Sequence, residues 1–399
     1  MLKIRRETEL EETDIGEIPD DWEVRRLGDI LEIKYGKGLT EKDRKSGGVP
    51  VFGSSGVVGY HVKALSKGPG LVIGRKGNIG SVYLSKSDFF PIDTVFYSEN
   101  IKNAGFLYYI LTKINLEQLM SDSAVPGLNI HFLESVRIPY PQLHEQSRIA
   151  TVLSWFDDLI QNKKTQNEIL EKTAMAICRS WFIEFESFKN NGFIDSKLGK
   201  IPRGWAVKSV HDLADIFLGG TPRREKSRYW NGQIRWAAAK DVANTEGIYV
   251  LDTAERITEE GLNNSNAKIL SQDSLVITAR GTVGELRLLG EGIAFNQTCY
   301  GLVPKDQKDA YFLFLSLRHI INEIKALSYG TVFDTITIKT FNDMKVLVPP
   351  QPILEKFHSI IRPLFHKILL NQKQVRILKE VRDVLLPLLV FGKLRVEEI

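Results

Sequence analysis

Two cysteines, Cys178 and Cys299, are all that the 399 residues contain. That scarcity excludes a disulfide framework and makes a reducing compartment, the cytoplasm, the expected location. No run of about 18 apolar residues occurs, so no membrane-spanning helix is expected. The N-terminus, Met1-Leu2-Lys3-Ile4-Arg5-Arg6-Glu7, turns acidic at once and lacks the apolar core of a signal peptide. The 7 histidines form no close metal-ligand pair, and two distant cysteines make no zinc site. A Gly-x4-Gly-Lys-Ser/Thr phosphate loop is missing, as is the Asn/Asp-Pro-Pro-Tyr/Phe segment of base-methylating enzymes. Gly53-Ser54-Ser55-Gly56-Val57-Val58-Gly59 lacks dinucleotide-binding spacing and reads as a plain loop. The expectation is a chain with no catalytic residues, no metal and no cofactor of its own.

What is present is an internal duplication. Ile18-Pro19-Asp20-Asp21-Trp22-Glu23-Val24 returns as Ile201-Pro202-Arg203-Gly204-Trp205-Ala206-Val207, and Asp29 returns as Asp212, at a displacement of 201 − 18 = 183. A repeat of this length implies two similar modules and a pseudo-two-fold molecule. Composition agrees: 43% apolar and 26% charged residues are ordinary for a soluble protein with room for two or three domains. The net charge of +4 mildly favours a polyanionic partner.

A heptad seam is duplicated too. Ile149, Leu153, Phe156, Ile160, Lys163, Asn167, Leu170, Ala174, Ile177 and Trp181 alternate spacings of four and three. Phe357, Ile361, Leu364, Ile368, Asn371, Val375, Leu378, Arg382, Leu385 and Leu389 repeat the pattern at 357 − 149 = 208. Such spacing keeps one stripe of a helix against a partner helix over many turns, so two long helices paired antiparallel are expected. Polar residues at mid-seam, Lys163, Asn167 and Asn371, fix register at some cost in stability. Pro363 and Pro387 count slightly against a straight second helix.

The two displacements differ by 208 − 183 = 25, so the second globular segment carries 25 extra residues. Matching Gly77 in Arg75-Lys76-Gly77-Asn78-Ile79-Gly80 with Gly281 in Arg280-Gly281-Thr282-Val283-Gly284 gives 204, placing 21 of them before that glycine turn. Lead-in and helix are constant, and the stretch between them varies. Each segment mixes short β-branched runs, such as Leu71-Val72-Ile73 and Leu275-Val276-Ile277-Thr278, with helices near 105–119 and 311–325. The expected class is α/β (α+β) with mainly antiparallel sheet. The expected division is residues 1–142, a helix over 143–190, residues 191–350, and a helix over 351–399. Phe188-Lys189-Asn190-Asn191-Gly192 reads as an exposed link.

Asp20, Asp21 and Glu23 beside Arg25 resemble nuclease carboxylates, but their duplicates are Arg203, Gly204 and Ala206, and capping of a helix or turn explains them better. Basic, glycine-rich loops remain. Lys37, Lys42, Arg44 and Lys45 follow the first lead-in; Thr221, Arg223, Arg224 and Arg228 follow the second. Arg75, Lys76 and Asn78, and Arg280 and Thr282, sit on the matched glycine turns. Arginine suits guanine and asparagine suits adenine in the major groove, while lysine and threonine commonly hold phosphates. Singly, each such residue reads better as solvated surface; their paired placement points to double-stranded DNA.

These features together resemble the specificity subunit of type I restriction–modification systems, over essentially the whole chain. The resemblance is carried by the Ile-Pro-x2-Trp-x-Val lead-in and by Gly219-Gly220-Thr221-Pro222 with Tyr229-Trp230 after it. The turn at Arg280, and Pro141-Gln142-Leu143-His144-Glu145-Gln146-Ser147-Arg148-Ile149-Ala150 leading into Ser180-Trp181-Phe182-Ile183-Glu184-Phe185, also belong to it. The first half departs in having Tyr35-Gly36-Lys37-Gly38 where the family loop has Gly-Gly-Thr-Pro, and Pro349-Pro350-Gln351-Pro352 is a looser match. The resemblance implies two target recognition domains held by an antiparallel helical pair, each reading half of a bipartite site. It also implies recruitment of two adenine methyltransferase subunits and, for cleavage, restriction subunits. Rival readings are a pseudo-symmetric protein scaffold that never touches DNA and a specificity chain serving methylation alone.

Overall fold

The short apolar runs punctuated by glycine fold as short strands. The computed structural model describes residues 3–114, 116, 128–327 and 335–399. They form two compact units, Met1–Ile160 with Ile377–Ile399, and Gln161–Arg376.

In the first unit, strands β1 (Lys3–Arg6), β2 (Leu10–Thr13), β3 (Gly16–Pro19) and β4 (Glu23–Arg26) precede one helical turn, α1 (Leu27–Ile30). There follow β5 (Lys34–Tyr35), β6 (Val49–Gly53), β7 (Gly56–His61), β8 (Gly70–Gly74), β9 (Val82–Ser85), β10 (Phe90–Pro91) and β11 (Val95–Ser98). Then come α2 (Ala104–Lys113), α3 (Ile130–Ser135), β12 (Arg137–Tyr140) and the long helix α4 (Leu143–Phe182). One sheet has the order β5-β11-β8-β9, and a second has β10-β6-β7 with β10 parallel to β6. Every residue of β8 is buried, as a continuous apolar run requires of a central strand. The stretch from Gly53 to Gly59, read as a plain loop, is instead the turn and second strand of the β6–β7 hairpin. The helix expected over 105–119 is α2; residues 115 and 117–119 lie outside the described residues.

In the second unit the chain runs through β13 (Phe193–Ser196), β14 (Gly199–Pro202), β15 (Ala206–Ser209), α5 (Val210–Leu213), β16 (Ala214–Leu218) and β17 (Trp230–Ala237). Next are α6 (Ala239–Asn244), β18 (Tyr249–Val250), β19 (Glu255–Ile257), α7 (Glu259–Asn263) and β20 (Ile269–Leu270). Then follow β21 (Leu275–Thr278), β22 (Leu286–Leu289), β23 (Ile293–Phe295), β24 (Cys299–Pro304), α8 (Ala310–Leu327), α9 (Ile338–Asp343), β25 (Lys345–Val348) and α10 (Gln351–Val390). The sheet β16-β24-β21-β22-β18 repeats the first unit's order with β18 added at its edge. The sheet β19-β17-β23-β20 repeats β7-β6-β10 with β20 added, and the parallel pair recurs as β17 with β23. The additions, α6, β18, α7 and β20, all precede the glycine turn after β21, where the displacement arithmetic put most of the extra residues.

Helices α4 and α10 are each 40 residues long. In the first unit, Arg382 donates to Asp157 at 2.6 Å, and Ile149 and Leu153 share a core with Leu389 and Val390. In the second, Asn371 donates to Asn167 at 2.9 Å and the rings of Phe182 and Phe357 lie 4.6 Å apart. Within each unit, later residues of α4 meet earlier residues of α10, so the pairing is antiparallel. Pro363 and Pro387 fall inside α10 without ending it.

Two expectations need correction. The acids after Pro19 do not cap α1, whose N-cap is Arg26 with no side-chain cap. Asp21 instead accepts two bonds of 2.9 Å from Arg395 of strand β26 (Leu394–Glu398), which pairs with β1 in the same unit. Arg395 also bonds Glu7 at 2.7 Å and Glu145 at 2.8 Å. The link at Phe188 is not a free linker either: its ring packs 5.2 Å from that of Trp205. A large aromatic so placed gains more from burial than a solvated link could offer.

Candidate nucleic-acid interface

The loops after β5 and β16 are hung on the sheets by the same backbone bonds. Gly36 N donates to Val95 O at 3.1 Å and Lys37 N to Pro91 O at 3.0 Å. At matched positions, Gly219 N donates to Cys299 O at 3.2 Å and Gly220 N to Phe295 O at 3.0 Å. A Cβ on Gly36 would stand 1.9 Å from Ile92 O, and one on Gly219 2.1 Å from Asn296 O, so only glycine fits at either place. The glycine turns correspond equally well. Gly80 N bonds Gly74 O and Gly284 N bonds Thr278 O, each at 2.9 Å, while Gly77 and Gly281 have φ of +75° and +78°. Arg75 N donates to Thr94 O at 2.9 Å and Ala279 N to Thr298 O at 2.7 Å. In each unit the basic loop and the glycine turn are thus anchored to the bend that opens one central strand, β11 or β24, and share one end of the sheet.

The side chains that the sequence singled out divide into free and engaged groups. Lys37, Lys42, Lys45, Lys76, Arg223 and Arg280 are exposed, and none has a side-chain bond or ion pair among the described residues. The Arg75 guanidinium lies over the rings of Tyr35 at 5.2 Å and Phe96 at 5.8 Å. Arg44 is half-buried, its Nη1 donating to Val58 O at 2.6 Å, which ties the first loop to the β6–β7 hairpin. Asn78 donates to Ser55 Oγ at 3.4 Å. In the second unit Arg224 makes a two-pronged pair with Glu255 and lies 3.8 Å over the Trp230 ring. Each partner favours the other's charged form: Glu255 holds the arginine pKa up, and Arg224 holds the carboxyl below its ordinary value. Arg228 pairs with Glu260 at 2.9 Å, Thr221 bonds Gln297, and the Thr282 carbonyl accepts from Thr278. Arg44, Arg224 and Arg228 therefore hold their loops in shape, while the free lysines and arginines can meet an anion directly.

The profile of the type I restriction modification DNA specificity domain matches residues 19–172 and again 202–380. The chain belongs to this family. Its two matched stretches begin 202 − 19 = 183 residues apart, the displacement of the lead-in repeat. Among its relatives, the type I restriction enzyme MjaIX specificity subunit of Methanocaldococcus jannaschii is 35% identical, over 100% of this chain and 99% of the relative. The EcoR124I/EcoR124II specificity subunit of Escherichia coli is 24% identical over 67% of this chain and 68% of its own length. A crystal structure of the S subunit of a type I restriction–modification system from M. genitalium shares the fold, with a TM-score of 0.63 at 18% identity over 92% of this chain and 96% of that one.

For a member of the DNA specificity family, the residues that sequence reading missed are the ones that shape the loops. Tyr35 and Phe96 beneath Arg75, Trp230 and Trp236 beneath Arg224, and Gln297 against Thr221 come from strands or from distant segments. Only Trp230 carried a signal, through the Tyr229-Trp230 pair. Ser54 and Ser55 also stand at the first glycine turn: Ser81 Oγ and Tyr83 Oη donate to Ser54 O at 2.7 and 3.2 Å. No group of His, Cys, Asp and Glu among the described residues could hold a metal ion. Burial pushes both thiols, Cys178 and Cys299, up to about 12, so neither is a nucleophile at neutral pH.

Proposed function

We propose that this chain is the DNA-recognition subunit of a type I restriction–modification assembly in the cytoplasm and that it carries no catalytic centre of its own. Each α/β lobe reads one half of an asymmetric bipartite site with the loop and glycine turn at one end of its sheet. The lobes correspond to residues 1–142 and 191–350, and the long helices within the spacer segments 143–190 and 351–399, α4 and α10, set the spacer. DNA rises about 3.4 Å per base pair, so a helix of fixed length can specify a spacer of fixed length. Exposed helical and lobe surfaces recruit two adenine methyltransferase subunits and, for cleavage, restriction subunits.

One observation carries the reading. Two lobes of the same strand order present equivalent backbone frameworks, yet fill them with different side chains: Lys37, Arg44, Arg75 and Asn78 in one, Thr221, Arg224, Arg280 and Thr282 in the other. A shared framework with different side chains is what two halves of an asymmetric target require. Replacing residues 201–350 with the matching segment of another family member, then mapping methylated adenines in the host genome, tests it. One half-site should change and the other persist; change in both would disprove modular reading.

A further inference from the structure

The second unit contains a cavity of about 240 Å³ that DNA reading leaves unexplained. Its walls include Ser271, Ser274, Lys308, His358, Arg362 and His366. Ser271 and Ser274 lead into β21, and Val303 and Pro304, at the end of β24, close another side. Arg280 and Thr282 follow β21 at its other end. The cavity and the basic loops therefore lie at opposite ends of the same two strands.

Among the described residues the hydroxyls of the lining serines Ser271 and Ser274 reach only each other, at 3.4 Å. The His358 ring stacks on Tyr311 with an interplanar angle of 14°, and its Nδ1 is buried with no hydrogen-bond partner. A buried polar atom in that state costs free energy unless something else bonds it. Arg362 is steadied through Nε, 3.5 Å from His366 Nε2, and no carboxylate pairs with its guanidinium among the described residues. Asp273 is the acid in the lining, and it accepts the Tyr249 hydroxyl at 3.2 Å. Lys308 and Arg362 thus outnumber the acid that faces them.

The duplication supplies an internal control. At the matched positions the first unit has Gly105 for Tyr311, Ala150 for His358, Ser154 for Arg362 and Asp158 for His366. There the helices close directly, a Cβ on Gly105 standing 3.2 Å from the Ala150 Cβ, and Asp158 pairs with Lys86 at 3.2 Å. The first unit keeps a lysine, Lys102, at the place of Lys308 but folds without the arginine and the two histidines, so the scaffold does not demand those three.

We propose that this cavity is a phosphate-binding site, taking one phosphoryl group with at most a sugar attached. The Arg362 fork and Lys308 neutralise the charge, and the Ser271 and Ser274 hydroxyls complete the bonds. The phosphoryl group comes either from a free sugar phosphate or from a DNA backbone, and the volume excludes a whole dinucleotide.

The test is calorimetric titration of the full chain with inorganic phosphate and with ribose 5-phosphate. Saturable one-to-one binding is expected, weakened at least about tenfold by Arg362→Ala and by Lys308→Ala and partly kept in Arg362→Lys. Arg362 is exposed, so its removal should leave the thermal midpoint in place; Ser271→Ala provides a second, milder variant. Absence of saturable binding up to about 10 mM, or binding indifferent to all these variants, overturns the site. Competition with duplex identifies the source. Displacement of ribose 5-phosphate by duplex, with weaker duplex binding in Arg362→Ala, assigns the backbone; simultaneous occupancy assigns a free sugar phosphate.

Discussion

Asn371 donates its side-chain N–H to Asn167 Oδ1 at 2.9 Å in the seam between the long helices, and Asn167 in turn donates to Ile368 O at 3.2 Å. Both are buried, Asn371 fully. Ile368 and Val375 flank Asn371 in the seam and Leu170 follows Asn167, so sliding one helix would bring an amide against hydrocarbon and strand its bonds. Asn371→Ala should cost about 1–3 kcal/mol, measured as a lower denaturation midpoint. Replacing both asparagines by leucine should recover much of that stability while loosening register. A double variant as destabilised as the single one would mean that the pair does not act by mutual satisfaction.

Much of the architecture was legible before any coordinates because duplication lets a chain be compared with itself. The 183, 204 and 208 displacements located the matched lead-in, turn and helix, and the extra elements of the second unit sit where the differences put them. Heptad spacing identified the paired helices through ten positions apiece. What stayed hidden was long-range pairing. Nothing near Arg224 announces Glu255, and nothing near Asp21 announces Arg395, because strands bring together residues that no local period connects. The basic loops could be listed from sequence, but sequence could not separate anchoring arginines from exposed ones. That distinction depends on which carboxylate folds against which guanidinium.

The Arg395 cluster should make the first unit sensitive to acid. Burial opposes ionisation of Glu7, yet bonds from the Glu9 and Thr8 amides, Arg5 and Arg395 outweigh it and hold its pKa at about 2, against an ordinary 4.5. A depressed carboxyl contributes stability above its unfolded pKa and loses it as pH falls through the folded one. Thermal midpoints should therefore drop between about pH 4.5 and about 2, and Glu7→Gln should flatten that part of the profile. A parallel profile for the variant would remove Glu7 from the explanation.

The distinction between free and anchoring cations predicts two kinds of DNA phenotype. Arg280→Ala should weaken duplex binding while the fold is untouched, reducing the slope of log affinity against log salt by about one if it meets a phosphate. If it reads a base instead, discrimination at one position should fall by about 1–3 kcal/mol with little change in slope. Arg224→Ala should act through its loop, lowering both thermal stability and affinity because Glu255 and Trp230 lose their partner. Unchanged stability for that variant would show that Glu255 and Trp230 do not depend on it.

Glycine at the two loop roots is a steric requirement that can be tested symmetrically. A methyl on Gly36 or Gly219 would overlap a carbonyl oxygen of the bend before β11 or β24, at 1.9 and 2.1 Å. Backbone must move in either case, and overpacking of that kind costs about 1–3 kcal/mol or more. If each lobe reads its own half-site, Gly36→Ala should degrade recognition of one half and Gly219→Ala that of the other, the intact half retaining its sequence preference. Methylation mapping of the two variants measures this directly. Loss of both half-sites from one substitution would argue that the lobes recognise DNA as a single cooperative surface, because a defect confined to one loop root has no other route to the second.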